Sequence, residues 1–295
     1  MTLYIHGLGL HHGPIDPETP ELPDLKNKLK ALSGTSPRRT DRFIQLAIIG
    51  AHQAAAVSRP NPQTALYMTS GQGNIMVFDR VVRQRHFTGN LTKPADFINL
   101  AGNTAAYYVA AHLGLEGRNL FLAHHHFPVQ MTMLLAQNDL QRQTEEAILI
   151  GAVDEVILPL ELGRKFLGVE KGLPLAEGSN WMLVKSNADG ALAGLEIKPE
   201  CFSEKALKNF LSTLTPGTRL AFSRRFSAAE SRSLQKSAPG CERYHYEAAS
   251  AYHETLPLYV LNLFLSRENG VLVHLDKSPD SCRYLIMCVD NQQSS

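Results

Sequence analysis

The chain has 295 residues, 44% of them hydrophobic, so it can bury one large core or two fused halves and does not read as a disordered segment. Lys and Arg number 29 against 28 Asp and Glu, which leaves no excess positive charge to neutralise phosphates or anionic lipid and argues against a nucleic-acid partner. The longest apolar run, residues 256–265, is about half of what a membrane span needs, and Met1-Thr2-Leu3-Tyr4 lacks the basic start of a secretory leader, so a cytosolic chain without membrane attachment is expected.

In chain order, LYIHGLGL (residues 3–10) is an apolar run closing on glycines and suits a buried strand. Residues 41–57 then show helical spacing, with Phe43, Leu46, Ala47, Ile49 and Gly50 on one face and Thr40 or Asp41 placed to cap the first amides. ALYMTS ends at the Gly71-Gln72-Gly73 turn as a second strand, and Pro94 opens a long helical pattern running to His112 and closed by Gly114. NLFLA is a third strand, residues 127–140 a third helix with Pro128 near its first position, AILIGAVDEV a fourth strand and NWMLVKS a fifth.

After Gly190 the series starts over. LAGLEIKP reads as a strand, residues 203–214 as a helix, TRLAFS as a strand, and residues 227–236 as a helix with a Ser227/Glu230 capping box. YHYEA as a strand, residues 251–267 as a helix, then GVLVHL and RYLIMCV as strands complete the set. Each half reads β-α-β-α-β-α-β-β, an alternation that predicts α/β architecture with parallel-rich sheets covered by helices. No Pro/Gly/Ser-rich linker separates the halves, so residues 1–295 are expected to form one domain, an N-terminal half (1–188) and a reduced C-terminal half (189–295). The cysteines at 201, 241, 282 and 288 lie scattered without metal-type spacing and read as reduced, mostly packed thiols.

Against this order of elements, RFIQLAIIGAHQAA (42–55), PADFINLAGNTAAYYVAAHLGLEGRN (94–119), IGAVDE (150–155) and AEGSNWMLV (176–184) resemble the ketosynthases of fatty-acid and polyketide synthesis, which have the thiolase fold. The resemblance covers residues 1 to about 186 and weakens beyond. It implies two pseudo-duplicated five-stranded halves in α-β-α-β-α layers, with the second half shortened.

It also implies a chemistry that this chain lacks. A ketosynthase uses a thiolate at the start of a buried helix, where amides and the helix dipole favour thiolate and oxyanion, together with two histidines. Counting from Gly117 puts the nucleophile's place at His126, and no cysteine lies within about seventy residues of it. The first histidine's place falls in TRLAFSRRFSAAE on Ser223 or Arg224, and the second's near Ser250 in EAASAYHETLPL, with His253 close by. The glycine-rich loop expected near the C-terminus is reduced to LDKSPDSCR (275–283). His124, His125 and His126 therefore occupy the turn that holds the nucleophile in the family. Three neighbours in an elbow point apart, so a plugged pocket is expected rather than a metal site or an acid–base group.

Other signals are weak. GQGN (71–74) completes neither GxGxxG nor GxxxxGK[ST], so no phosphate loop or cofactor is expected. Arg38-Arg39 and Arg224-Arg225 read as solvated surface that an acidic carrier protein could contact, and Ser223 with His253 lacks the GxSxG context of a nucleophile and base.

The resemblance narrows to the chain-length factors of type II polyketide systems, and among them to the truncated partners of bacterial aryl-polyene clusters. It implies a subunit without its own activity, paired with a catalytic ketosynthase and served by an acyl carrier protein. Leu120, Phe121 and Leu122 are then expected near the dyad of the pair. Asp96, Phe97 and Ile98 align with the segment that reaches the partner's acyl tunnel, Phe97 as a limiting side chain or as an ordinary helix-packing phenylalanine. The alternatives are an acyltransferase or thioester hydrolase using His126 or Ser223, and a stand-alone homodimer that binds acyl chains or carrier protein.

Overall fold

The computed structural model describes residues 2–15, 21–34, 39–280 and 283–291. Among the described residues, ten strands join in the order β3-β2-β4-β5-β1-β6-β10-β9-β7-β8. They are β1 (Leu3–Pro14), β2 (Ala65–Thr69), β3 (Asn119–Leu122), β4 (Ala147–Asp154), β5 (Ala176–Lys185), β6 (Ala193–Ile197), β7 (Arg219–Phe222), β8 (Glu242–Arg243), β9 (Val271–Lys277) and β10 (Tyr284–Asp290). From the centre outwards, the first half runs first, fifth, fourth, second and third strand, and the second half repeats that order. The halves meet where Leu3 to Ile5 of β1 pair antiparallel with Leu195 to Ala193 of β6. The first repeat takes residues 3–185 and the second only 193–290, so the second half is the shorter one.

Helices complete five layers. They are α1 (Leu25–Ser33), α2 (Arg42–Val57), α3 (Ile75–His86), α4 (Pro94–Asn99), α5 (Gly102–Leu113), α6 (Pro128–Gln141), α7 (Leu160–Leu167), α8 (Glu204–Leu211), α9 (Ala228–Gln235) and α10 (Leu256–Arg267). Strand periodicity explains how the layers hold. Every residue of β4 is buried, and its side chains alternate: Ile148, Ile150 and Ala152 enter the central core with Met133 of α6 and Leu261 of α10. Ala147, Leu149 and Val153 enter an outer core with Phe43 of α2 and Val109 of α5. A third core joins Leu207 of α8 and Leu234 of α9 to Leu220 and Ile286. Gly151 is fixed by close approach, since a Cβ there would lie 2.4 Å from the buried Trp181 ring.

Two motif residues are structural. Arg42 at the start of α2 grips Glu177 of β5 through two 2.6 Å bonds, and that carboxylate is fully buried. The pair ties the outer helix layer to the sheet.

Local signals in the sequence match the observed ends. The Asp41 side chain accepts from the Ile44 amide, Pro128 opens α6, and Ser227 with Glu230 forms the capping box of α9. Gly114 ends α5 in the left-handed region, at φ 69°. Three expectations need correction. The pattern over residues 94–112 is two helices, because Leu100 and Ala101 break it. YHYEA is not a strand: β8 is Glu242–Arg243, and residues 247–249 form a 3-10 turn. The last helix starts at Leu256 rather than 251, because Tyr252 is held in a bridge to Leu175 and Pro257 sits in the first turn. Helices α1, α3 and α7 are additional to the expected elements; α3 buries only Val77.

Candidate functional site

Parallel strands β2, β3 and β4 of the first half and β7, β8 and β9 of the second bring their loops towards the helices of the central layer. The loop after β3 carries the histidine triplet into α6, with Phe127 as the N-cap residue. Residues 223–226 follow β7, and residues 250–255 lead into α10.

In the triplet, His124 Nδ1 accepts from the amides of His126 (3.3 Å) and Phe127 (3.1 Å). A side chain thus occupies the two amides directly before α6. Partial burial, then repulsion from His126, Arg283 and His125, lowers the His124 pKa and keeps that nitrogen an acceptor at neutral pH. His126 Nε2 lies 3.5 Å from Arg283, and its Nδ1 is buried without a partner. His125 is exposed. The rings do not point apart as expected: His126 meets His125 edge to face at 4.8 Å between ring centroids and His124 at 6.1 Å, although no group of three or more metal-ligating side chains gathers among the described residues.

Arg225 closes the site. Its guanidinium donates to the His126 carbonyl (2.8 Å), to Glu254 Oε2 (2.6 Å) and to the Lys277 carbonyl (3.2 Å), with Asp276 at 3.7 Å. Burial opposes its charge, but Asp276 and Glu254 outweigh that and raise its pKa. Arg224 donates to the carbonyls of Glu247 (2.8 Å) and Ser250 (2.9 Å). The expectation that this arginine pair is solvated surface is thus overturned for Arg225, only 16% exposed, and Arg224 is half-buried with two carbonyl partners. The pair knits the loops of His126 and Ser250 to that of Ser223. Sequence carried one signal of this: two arginines directly after a strand at a place where the resemblance implies a histidine.

Ser223 is buried, and its hydroxyl has no hydrogen-bond partner, so it is not bonded to His253. Both nevertheless line a small chamber of about 10 Å³ with Arg225, Glu254, His274 and Asp276. An adjoining cleft of about 580 Å³ shares Ser223, Arg225 and Glu254 with it and is lined also by Leu173, Arg243 and Lys277. Ser250 stands apart from the start of α10; the residue directly before the N-cap Thr255 there is Glu254, as His126 is directly before Phe127.

Asp154, at the end of the IGAVDE strand, supports the site from behind. Its fully buried carboxylate accepts from Ser70 Oγ and the Gly71 amide (2.8 Å each) and from the Thr255 amide (2.7 Å). His253 stands 3.8 Å from it and 3.1 Å from Thr255 Oγ1. The next residue, Glu155, is buried with one oxygen on the Met76 amide (2.8 Å), and burial pushes its pKa up to about 8. No thiol lines the chamber or the cleft among the described residues. Cys201 is exposed, Cys241 buried and Cys288 half-buried; Cys282 and Arg38 lie outside the described residues.

The expected interface residues lie at one edge. β3 is the terminal strand of the sheet, with Leu120 to Leu122 half-buried. Leu120 packs on the central core and Phe121 on the outer one, as alternation dictates. Asp96 is buried against Arg80 at 2.7 Å, whereas Phe97 is 68% and Ile98 60% exposed, which excludes the helix-packing role for Phe97 within this chain.

Neither a protein-family model nor a curated protein matches the sequence. Solved structures do match in fold. The ishigamide ketosynthase/chain length factor has a TM-score of 0.68 at 13% identity, over 99% of both chains. A type II polyketide synthase ketosynthase, AntDE, bound to a hexaketide in complex with its acyl-carrier protein, AntF, has 0.69 at 12%, over 98% of this chain and 99% of that one. A beta-ketoacyl synthase from Burkholderia phymatum has 0.67 at 11%, over 99% of both. The chain has the thiolase-like fold of these ketosynthase and chain-length-factor structures. No helix among the described residues is long and apolar enough to cross a membrane.

Proposed function

We propose that the chain is a non-catalytic chain-length factor, which pairs with an active ketosynthase and shapes its acyl tunnel in type II polyketide synthesis. The observation that carries this reading is the Arg225 clamp. Where a condensing enzyme of this fold needs a thiolate and free amides, a guanidinium bonds the His126 carbonyl and Glu254, and His124 occupies the amides. An unbonded, buried Ser223 argues against the competing acyltransferase or hydrolase.

The partner is a catalytic ketosynthase subunit, with acyl carrier protein delivering chains to the pair. Support comes from β3 as the terminal strand of the sheet and from the exposed Phe97, Ile98 and Tyr107. Likeness in fold to a ketosynthase/chain length factor and to a ketosynthase in complex with carrier protein supports both partners. Aryl-polyene synthesis is the narrower reading, and it rests on the sequence resemblance. The whole chain is taken as one domain, cytosolic and without cofactor.

Native mass spectrometry of the chain alone, and co-expressed with the ketosynthase encoded nearest to it, tests the reading. A one-to-one heterodimer formed only on co-expression is expected. A stable homodimer that ignores the ketosynthase would overturn it and favour the stand-alone binding protein.

A further inference from the structure

On the outer face of the first half, away from the cleft, His52 of α2 meets His112 in the last turn of α5. Both side chains are half-buried, and His52 Nδ1 lies 3.4 Å from His112 Nε2. That separation is long for a hydrogen bond, whose donor–acceptor distance is usually about 2.9–3.0 Å. It equals the edge of a zinc tetrahedron: two nitrogens at about 2.0–2.1 Å from one ion stand roughly 3.3–3.4 Å apart.

We propose that His52 and His112 form a chelating site for a divalent transition-metal ion, with Zn2+ the best geometric fit. The rings are 5.6 Å apart and tilted by 56°, so a small rotation of each turns both lone pairs towards a common point. Burial, then the neighbouring His52, lowers the His112 pKa, which favours the neutral ligand form at neutral pH. The remaining coordination positions face an open hollow of about 300 Å³ lined by Ala55, Ala56, Pro60, Leu113 and Arg59, where water completes the shell. Arg59 is exposed, and solvent screens its charge from the ion. The two ligands come from packed helices, so a bound ion staples α2 to α5, and zinc binding becomes fold stability.

The test uses the full chain without a histidine tag, its thermal unfolding followed with Zn2+ and with EDTA, and zinc stoichiometry measured by titration calorimetry. One zinc per chain is expected, with a midpoint rise of about 3 °C at a tenfold excess over the dissociation constant. The rise should vanish in His52→Ala and in His112→Gln and survive in His125→Ala. His112→Gln keeps a hydrogen-bonding partner for His52, so a folded protein without the zinc response separates chelation from packing. Absence of one-to-one binding in the wild type, persistence of the rise in both pair variants, or its loss in His125→Ala would each overturn the proposal.

Discussion

Arg225 donates a 2.8 Å hydrogen bond to the carbonyl of His126, across 99 residues of sequence, and thereby locks the loop before α6 onto the loop after β7. The same guanidinium neutralises Glu254 and approaches Asp276. Arg225→Met should leave those carboxylates uncompensated and lower stability by on the order of 3 kcal/mol in urea unfolding. Adding Glu254→Gln should recover part of that loss. A double variant no more stable than the single one would mean that the ion pair is not what the arginine supplies.

His124 holds the amides of His126 and Phe127, directly before α6. His124→Ala should cost about 0.5–2 kcal/mol, and His124→Asp, whose carboxylate also accepts from amides at a helix start, should restore most of it. Equal stability of the two variants would show that the imidazole does not act as a cap.

Phe97 is 68% exposed, so Phe97→Ala should change the stability of the chain alone by less than about 0.5 kcal/mol. On the proposed function, the variant should lengthen the polyketide in the reconstituted pair, by removing roughly 1–3 kcal/mol of overpacking against an extra C2 unit. Unchanged product lengths would remove Phe97 from the tunnel.

Glu155 has a folded pKa pushed by burial up to about 8, above its ordinary value of 4.5. Between those values the unfolded chain releases a proton that the folded chain keeps, so this group costs stability as pH rises, by at most about 1.4 kcal/mol per pH unit. Glu155→Gln should match the wild type near pH 4.5 and exceed it increasingly towards pH 8. Burial pushes His11 and His274 down to about 4, and they bend the wild-type profile the other way, so the difference between the two proteins is the readout. A difference that does not grow with pH would contradict the buried neutral acid.

The sequence by itself determined the layered architecture, because short-range chemistry writes it. Full burial of AILIGAVD on both faces of a strand, Pro128 at a helix start, the Asp41 cap and the Ser227/Glu230 box each depend on neighbours a few residues away. The place given to His126 rests on the resemblance alone, as a residue identity in a counted position. Alternation misled at YHYEA, where Tyr244 and Tyr246 are buried and His245 is exposed as in a strand, yet the chain turns.

Only the tertiary structure decided what surrounds the candidate site. Arg224 and Arg225 look like surface in sequence because their partners at 126, 247, 250, 254 and 277 come from other loops. The start of α10 depends on Asp154, 101 residues away, holding the Thr255 amide. His52 and His112 face each other only because α2 and α5 pack side by side. Charge and lone pairs act over a few ångströms of space, and no spacing along the chain encodes which distant groups will share that space.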